Sequence, residues 1–245
     1  MIKFFRKIRQ NLLSEGKTGK YFKYAIGEII LVVIGILIAL QINNWNENRK
    51  VEIIKQNYYQ QILTDLEADK EYAENEITHL DSLIAMYNNY KETYKKEVVN
   101  FEVAFRAIFK NEFSNHPLKF KTSTINSLIS AGDIKLLDPN LREKLTSYNA
   151  HMDFAMEVSD RNQSNALHIL ESAMMSGLVA LGSSNNQPIL RDYLKIEEKK
   201  PDIFIKLEAY FGWKNAGETQ TIGDLNRIIE EIDILIVLVN EKLEK

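Results

Sequence analysis

The sequence predicts an all-α protein with a single membrane-spanning helix, and three observations support this prediction. Only 10 Gly and 4 Pro occur among 245 residues, a scarcity that favours long helices over turn-rich β architectures. A continuous apolar stretch occupies residues 24–42, and beyond it apolar residues recur with a period near 3.6. We therefore expect an N-terminal basic amphipathic helix, one transmembrane helix and an extracytoplasmic bundle of long helices.

The composition excludes several kinds of chemistry. The chain contains no Cys, which rules out disulfide scaffolds, thiolate zinc sites, thiol nucleophiles and Cys-held iron–sulfur clusters. Hydrophobic residues make up 45% of the chain, which is too many for general disorder.

Positive charge is concentrated at the N-terminus. Residues 1–23 contain seven Lys or Arg and one Glu, a net charge of +6, although the whole chain carries −3. Apolar residues recur at helical spacing between Lys3, Arg6, Lys7 and Arg9, which is typical of an amphipathic helix on a membrane surface. Because each basic residue gains about 1 kcal/mol near anionic lipid, we expect anionic lipid as the partner of this arm. Docking on a cytoplasmic protein is the alternative.

Residues 24–42 have the length and composition of a transmembrane helix. Residues 29–40 are twelve consecutive apolar positions, and 19 helical residues span ~28 Å, close to the ~30 Å hydrocarbon core of a bilayer. Tyr21 and Tyr24 at one end and Trp45 at the other are typical interfacial anchors. A buried core helix and a cleaved signal peptide are the alternatives. The preceding positive charge disfavours the first, and the missing small-residue cleavage site disfavours the second.

The charge distribution then predicts the domain layout. Positively charged flanks stay in the cytoplasm, so the N-terminus is expected there and the rest of the chain on the opposite side. The predicted parts are a cytoplasmic basic arm at 1–23, a transmembrane helix at 24–45 and an extracytoplasmic helical domain at 46–245.

A polar residue and two small residues share one face of the predicted span. At 100° per residue, Gly35 and Ala39 lie within about 20° of Glu28 around the helix axis. The spacing of Gly35 and Ala39 allows two helix backbones to approach closely, and Glu28 could form a hydrogen bond across such a pair. This face predicts self-association. The alternatives are that Glu28 only reaches the lipid headgroups and that the small residues are ordinary membrane-helix composition.

The extracytoplasmic part reads as a series of helices. A stripe of apolar residues predicts one helix from Glu47 to Val98, with Asn88-Asn89 as a possible turn. The last helix has surplus apolar residues, Ile234, Val237 and Leu238, which predict burial on two faces, inside the bundle or against another chain. The other expected elements are a stripe over 101–113 ended by 114–117, a helix over 124–131 followed by Gly132, a helix opened by Asp138-Pro139, a loop at 182–188, short helices within 189–213 and a closing helix over 222–243.

Two stretches carry a resemblance to a known family. Gly19–Lys50, which includes YAIGEIILVVIGILIALQINNWNE, resembles the opening of a family of uncharacterised single-pass membrane proteins of Gram-negative bacteria. Ser127–Leu137 (SLISAGDIKLL) and Leu141–Tyr148 fit the same family. The resemblance covers roughly a quarter of the chain and implies a bacterial inner-membrane protein with a helical extracytoplasmic domain. Together with the positive charge of the arm, it predicts a cytoplasmic N-terminus and a periplasmic location for residues 46–245. It supplies no catalytic or ligand residues.

The sequence offers little evidence of catalytic or metal chemistry. Glu76-x-x-His79 has the spacing found in di-iron carboxylate bundles, but the one other pair with this i, i+3 spacing, His168-x-x-Glu171, has the reverse order. Since 34 acidic residues produce such pairs by chance, we expect no metal site. H-E-x-x-H, G-x-S-x-G, Walker and G-x-G-x-x-G motifs are absent. We therefore predict no catalytic residues, no cofactor and no enzymatic activity.

These observations favour a membrane-anchored helical scaffold or protein-interaction module of the bacterial envelope. Expected partners are the lipid bilayer and either a second copy of the chain or another membrane protein, and the acidic domain disfavours nucleic acid. The alternatives are a ligand-sensing or accessory subunit of a membrane complex, and an enzyme whose site is scattered along the sequence. A deep polar pocket would favour ligand binding, and a flat apolar patch would favour the scaffold.

Overall fold

A computed structural model describes residues 18–96, 98–121 and 123–244, and within these ranges it contains helices and no strand. The all-α prediction is therefore confirmed for the described chain. Residues 1–17 of the predicted basic arm, with Lys3, Arg6, Lys7 and Arg9, lie outside the described residues, as do the side chains of Tyr21 and Tyr24.

The helices vary greatly in length. They are α1 (Thr18–Lys96), α2 (Phe101–Ile108), α3 (Ser123–Ala131), a 3₁₀ turn (Asp133–Leu136), α4 (Pro139–Ala173), a π-helical turn (Met174–Leu178), α5 (Val179–Ser183), α6 (Pro188–Tyr193) and α7 (Ile196–Leu243).

The chain divides into two units, Met1–Asn57 and Tyr58–Lys245. In the first unit, α1 is apolar on every side over residues 29–40. The large apolar side chains between Ile29 and Leu40 are each 47–63% exposed.

The second unit is a helical bundle in which α4 and α7 run antiparallel. The His151 ring Nδ1 lies 2.6 Å from Glu231 Oε1, whereas Asn162, farther along α4, donates to Gln220 Oε1 at 3.2 Å, earlier in α7. α1 is also antiparallel to α7.

The direction of α1 follows from contacts at its two ends. Lys70 Nζ lies 2.6 Å from Asp233 Oδ1 near the end of α7, and Tyr94 donates to Glu208 at 3.1 Å near its beginning. α1 and α4 consequently run parallel, so the chain between them must travel back along the bundle.

That connection, residues 98–137, is called the return segment here. It forms a fourth layer, because its contacts move steadily backwards along α1. The contacts are Lys119 N to Tyr72 Oη (2.9 Å), Lys121 N to Asp69 Oδ1 (2.6 Å), Thr124 N to Asp65 Oδ2 (3.1 Å) and Tyr58 Oη to Asp133 Oδ2 (2.7 Å).

Apolar packing along the bundle forms three clusters of buried residues. Each cluster contains side chains from α1 and from α7, together with side chains from the return segment, from α4 or from both. Representative members are Ile62, Leu128, Leu145 and Ile232 in the first, Ala73, Leu118 and Leu225 in the second, and Tyr90, Ile108, Leu170 and Leu207 in the third.

Several predicted boundaries are confirmed. α1 runs without a break through Asn88-Asn89 to Lys96. Gly132 follows α3 with φ +73°, a conformation that glycine adopts without steric cost. Asp138 caps α4, since its side chain accepts hydrogen bonds from the backbone N–H groups of Asn140 and Leu141, with Pro139 in the first turn.

Two predicted boundaries are wrong. The stripe over 101–113 forms a helix only to Ile108, where Lys110 N and Asn111 N form i−3 bonds that tighten the end. The last helix begins at Ile196 instead of residue 222, so most of 189–213 belongs to α7. Each Gly inside α7 lowers the stability of the helix by roughly 1 kcal/mol relative to Ala. Burial of side chains such as Leu207 and Tyr210 offsets this cost.

Candidate functional site

A polar site lies midway along the bundle, where the return segment has no helical structure. Residues 112–121 form no backbone–backbone ladder, and side chains from the other three layers satisfy their backbone groups. The contacts are Lys214 Nζ to Glu112 O (3.0 Å), Tyr210 Oη to Phe113 O (3.3 Å), Gln163 Nε2 to His116 O (2.7 Å) and Lys119 N to Tyr72 Oη (2.9 Å). These bonds hold the backbone of the segment in a defined conformation.

Two histidines and a glutamate meet at this place. His79 is on α1, and Glu112 and His116 are on the return segment, with one ligand-type atom from each lying within 4.8 Å of the others. The His79 and His116 rings meet edge to face, with 4.5 Å between centroids, and His116 Nε2 is 3.8 Å from Glu112 Oε1. Imidazole nitrogens and carboxylate oxygens are groups that bind first-row divalent metals.

A small cavity adjoins the cluster. Its volume is about 30 Å³, and side chains from α1, the return segment, α4 and α7 line it, among them Glu76, Asn115, His116, Gln163 and Glu218. A cavity of this size holds about one water molecule or a single ion, so a larger ligand does not fit without rearrangement.

The closeness of α4 and α7 at the cavity depends on one glycine. A Cβ atom at Gly217 would lie 3.1 Å from Asn162 Cβ, tighter than ordinary packing. Gly217 therefore allows the two helices to approach closely at this level.

Buried polar atoms without a hydrogen-bond partner concentrate at this site. In the described part of the chain five such side-chain atoms occur, and three of them, Glu76 Oε1, His79 Nε2 and Asn115 Oδ1, belong to residues of the cluster or its cavity. Because buried polar groups are nearly always paired, this concentration indicates a place that accepts a further polar or charged species.

Charged groups surround the cluster. Lys214 and Glu218 form an ion pair of 3.2 Å, and both side chains are about nine-tenths buried. Burial raises the pKa of Glu218, and Lys214 opposes that change. The hydroxyl of Ser114 donates to Glu112 and lowers the pKa of that carboxyl, with smaller contributions from His79 and Lys214.

The predicted membrane residues belong to the other unit. Glu28, Gly35 and Ala39 all lie on α1, and a Cβ atom at Gly35 would meet no heavy atom within 4 Å. Trp45 is 65% exposed. The face therefore has room for a second helix, and its role in self-association stays a prediction.

The sequence did not reveal that Glu112 and His116 are the partners of His79. The Glu76-x-x-His79 pair was visible, but the predicted helix over 101–113 placed Glu112 on a helical stripe, and tertiary folding brings the two segments together. The i, i+4 spacing of Glu112 and His116 was the one available signal. The other pair, His168 and Glu171, is at least 61% exposed on both sides and makes a solvated contact of 3.3 Å.

By length and composition, two helices in the described chain could cross a membrane, Ala25–Lys95 and Pro139–Ser183. Over residues 18–96, 98–121 and 123–244 the protein is thus an all-helical chain with candidate membrane spans. More particularly, a model of a family of unknown function, DUF6090, matches residues 28–154, and the chain belongs to this family. The matched region includes His79, Glu112 and His116 and ends before α7. No curated protein and no solved structure matches the chain.

Proposed function

We propose that the protein is anchored in the bacterial inner membrane by residues 24–45 and carries residues 46–245 in the periplasm as a helical scaffold or interaction module. One observation carries the proposal: α1 is apolar and exposed on all sides between Ile29 and Leu40. A helix that is apolar all round is stable when lipid or protein surrounds it.

The proposal uses α1 as the span and keeps α4 in the bundle. In the C-terminal half of α4, Leu170 and Ala173 belong to the same buried cluster as Leu207 of α7. After Ala173 the regular α-helix is interrupted by the π-helical turn, in which Gly177 has φ +116°.

Exposed apolar side chains on the bundle support a role in protein interaction. At the end where α4 turns back into α7, Met175, Val179, Ile189 and Tyr193 are 64–88% exposed. Groups of this kind on a folded surface are typical of interaction sites. No reaction is part of the proposal, in keeping with the absence of catalytic motifs from the sequence.

The surplus apolar residues of α7 also support a role in protein interaction. Ile234 is 49% and Val237 58% exposed, whereas Leu238 packs against the core. Of the two burial modes that the sequence allowed, the bundle accounts for Leu238. Ile234 and Val237 remain available to another chain.

The topology can be tested with the natural absence of cysteine. Asn11→Cys places a thiol in the basic arm, and Asn186→Cys places one in the exposed turn after α5. A membrane-impermeant maleimide applied to intact spheroplasts should label the Asn186→Cys chain and should label the Asn11→Cys chain only after permeabilisation. The reverse pattern would overturn the proposed orientation, and labelling of both chains without permeabilisation would argue against a single span.

The ligand-sensing alternative is favoured by the polar site between the four layers. Three buried polar atoms at the site have no hydrogen-bond partner in the protein, and a bound polar species would supply one. The cavity volume of about 30 Å³ is far below that of pockets that bind ordinary metabolites. Any ligand held there is therefore as small as water or a single ion.

A further inference from the structure

We propose that His79, Glu112 and His116 bind one divalent transition-metal ion, with Zn²⁺ as the reference ion. The proposal rests on the second unit alone and does not depend on the orientation of the membrane anchor. Two imidazoles and one carboxylate form a ligand set used by zinc proteins that keep a fourth position open.

The distances are close to those that coordination requires. In a tetrahedral site with bonds of about 2.0–2.1 Å, the ligand atoms are separated by roughly 3.3 Å. His116 Nε2 and Glu112 Oε1 are already 3.8 Å apart, and one ligand atom from each of the three residues lies within 4.8 Å of the other two. Side-chain rotation alone can close the remaining gap, since the side chains of Glu112 and His116 are 40% and 44% exposed.

The protein holds the ligands in place before an ion arrives. Gln163 and Lys214 fix the backbone carbonyls of His116 and Glu112, and the hydroxyl of Ser114 donates to the Glu112 carboxylate. Contacts of this kind orient metal ligands and strengthen binding. The Nε2 atom of His79 is buried and has no hydrogen-bond partner, so binding through that nitrogen would satisfy an atom that is otherwise unpaired.

The surrounding charge suits a divalent cation. Glu76, Glu112 and Glu218 carry three negative charges when ionised, and among the cavity-lining residues these are opposed by Lys214. Lys214 is itself directed to Glu218 and to the Glu112 carbonyl, where it supports the segment that carries the ligands.

The unpartnered oxygens are also explained by a bound ion. Three protein ligands leave a fourth position for water, and Glu76 Oε1 and Asn115 Oδ1 belong to residues lining the adjoining cavity. Both are acceptors, and a metal-bound water has two hydrogens to donate. The cavity of about 30 Å³ has room for that one water molecule.

The test uses the full-length, tag-free chain in detergent, stripped with a chelator and titrated with Zn²⁺ by calorimetry. We expect one Zn²⁺ per chain, and we expect His79→Gln, Glu112→Gln and His116→Gln each to weaken binding by more than about 100-fold, beyond the 10–100-fold that outer-shell changes typically cause. His151→Gln and His168→Gln remove histidines that also lie next to a glutamate, and these matched controls should bind like the wild type. Circular dichroism shows whether each variant keeps its helices.

X-ray absorption of the Zn²⁺-loaded wild type does not depend on the folding of any variant. Two imidazole ligands and further oxygen ligands are the expected result. The proposal is wrong if the wild type fails to bind Zn²⁺ in the micromolar range, if the three variants bind as well as the controls, or if the spectrum of the bound ion contains no imidazole.

Discussion

Asp69 is the residue that most directly ties the return segment to the core. Its carboxylate is 2% exposed and accepts hydrogen bonds from the backbone N–H of Lys121 at 2.6 Å and the hydroxyl of Tyr148 at 3.2 Å. Burial raises the pKa of Asp69, and the two hydrogen bonds only partly oppose that change. The folded state consequently binds the Asp69 proton more tightly than the unfolded state does.

The sign of the resulting pH dependence follows from linkage. Asp69 contributes most to stability below the unfolded pKa of 3.8, and this contribution falls as the pH rises through the higher folded pKa. We expect Asp69→Asn to flatten the dependence of stability on pH above about 3.8, because the amide stays neutral and can still accept from Lys121 N.

Tyr148→Phe provides the matched control. It removes the hydroxyl that lowers the pKa of Asp69 while keeping an aromatic ring in the core, so the decline of stability with pH should become steeper. Denaturant unfolding of both single variants and of the double variant, followed by circular dichroism at several pH values, measures this. Equal slopes for wild type and Asp69→Asn would contradict the assignment.

Gly177 shapes the connection between two long bundle helices, α4 and α7. It lies in the π-helical turn with φ +116°, and a Cβ atom there would also sit 3.5 Å from Lys199 Cδ. Since L-residues rarely adopt this conformation, Gly177→Ala should destabilise the bundle by about 1–2 kcal/mol. The change is measured as a lower denaturant midpoint.

Gly182→Ala is the comparison that isolates the backbone effect. Gly182 lies in α5 without a positive φ, and nothing lies within 4 Å of its Cβ position. Alanine should raise stability there by about 0.5–1 kcal/mol. If both substitutions shift the denaturant midpoint in the same direction, the positive φ of Gly177 is not the reason that this position requires glycine.

At the level of elements, the sequence predicts the helix boundaries that are determined by neighbouring residues. The apolar stripe from Val51 predicted the course of α1, and Asp138-Pro139 predicted the start of α4. The predicted last helix starts at residue 222, whereas α7 starts at Ile196 and continues through Gly212 and Gly217, two residues of low helix propensity. Packing of that helix against α1 and α4, which local sequence does not report, overrides the propensity.

At the level of the whole molecule, the sequence indicated the all-helical class but not the polar site. Glu112 and His116 reach His79 because the return segment runs back along α1, and that path depends on bonds such as those to Tyr72 and Asp69. Each of these bonds joins residues distant in sequence. No local pattern specifies which distant residues will meet. The sequence alone therefore gives Glu76-x-x-His79 no further metal ligand, and this is why it predicts no metal site.

Pairing of two whole chains through the membrane helix is the remaining prediction, and it depends on the face formed by Glu28, Gly35 and Ala39. Gly35→Ile should push the two backbones apart and lower the dimer fraction measured by cross-linking in membranes, since close approach is what the small residues allow. Glu28→Leu should weaken pairing comparably if the carboxyl bonds across the pair, by on the order of 1 kcal/mol, and less if it only reaches the headgroups.

The bundle could also drive pairing through the exposed Ile234 and Val237, and the two sources are separable. Cross-linking of the anchor without residues 58–245 reports the membrane helix alone, and Ile234→Ser with Val237→Ser in the full chain removes the bundle surface. If Gly35→Ile leaves the anchor as strongly cross-linked as before, its small residues are ordinary membrane-helix composition. Any remaining dimer would then have to form through the bundle, and the double serine variant should abolish it.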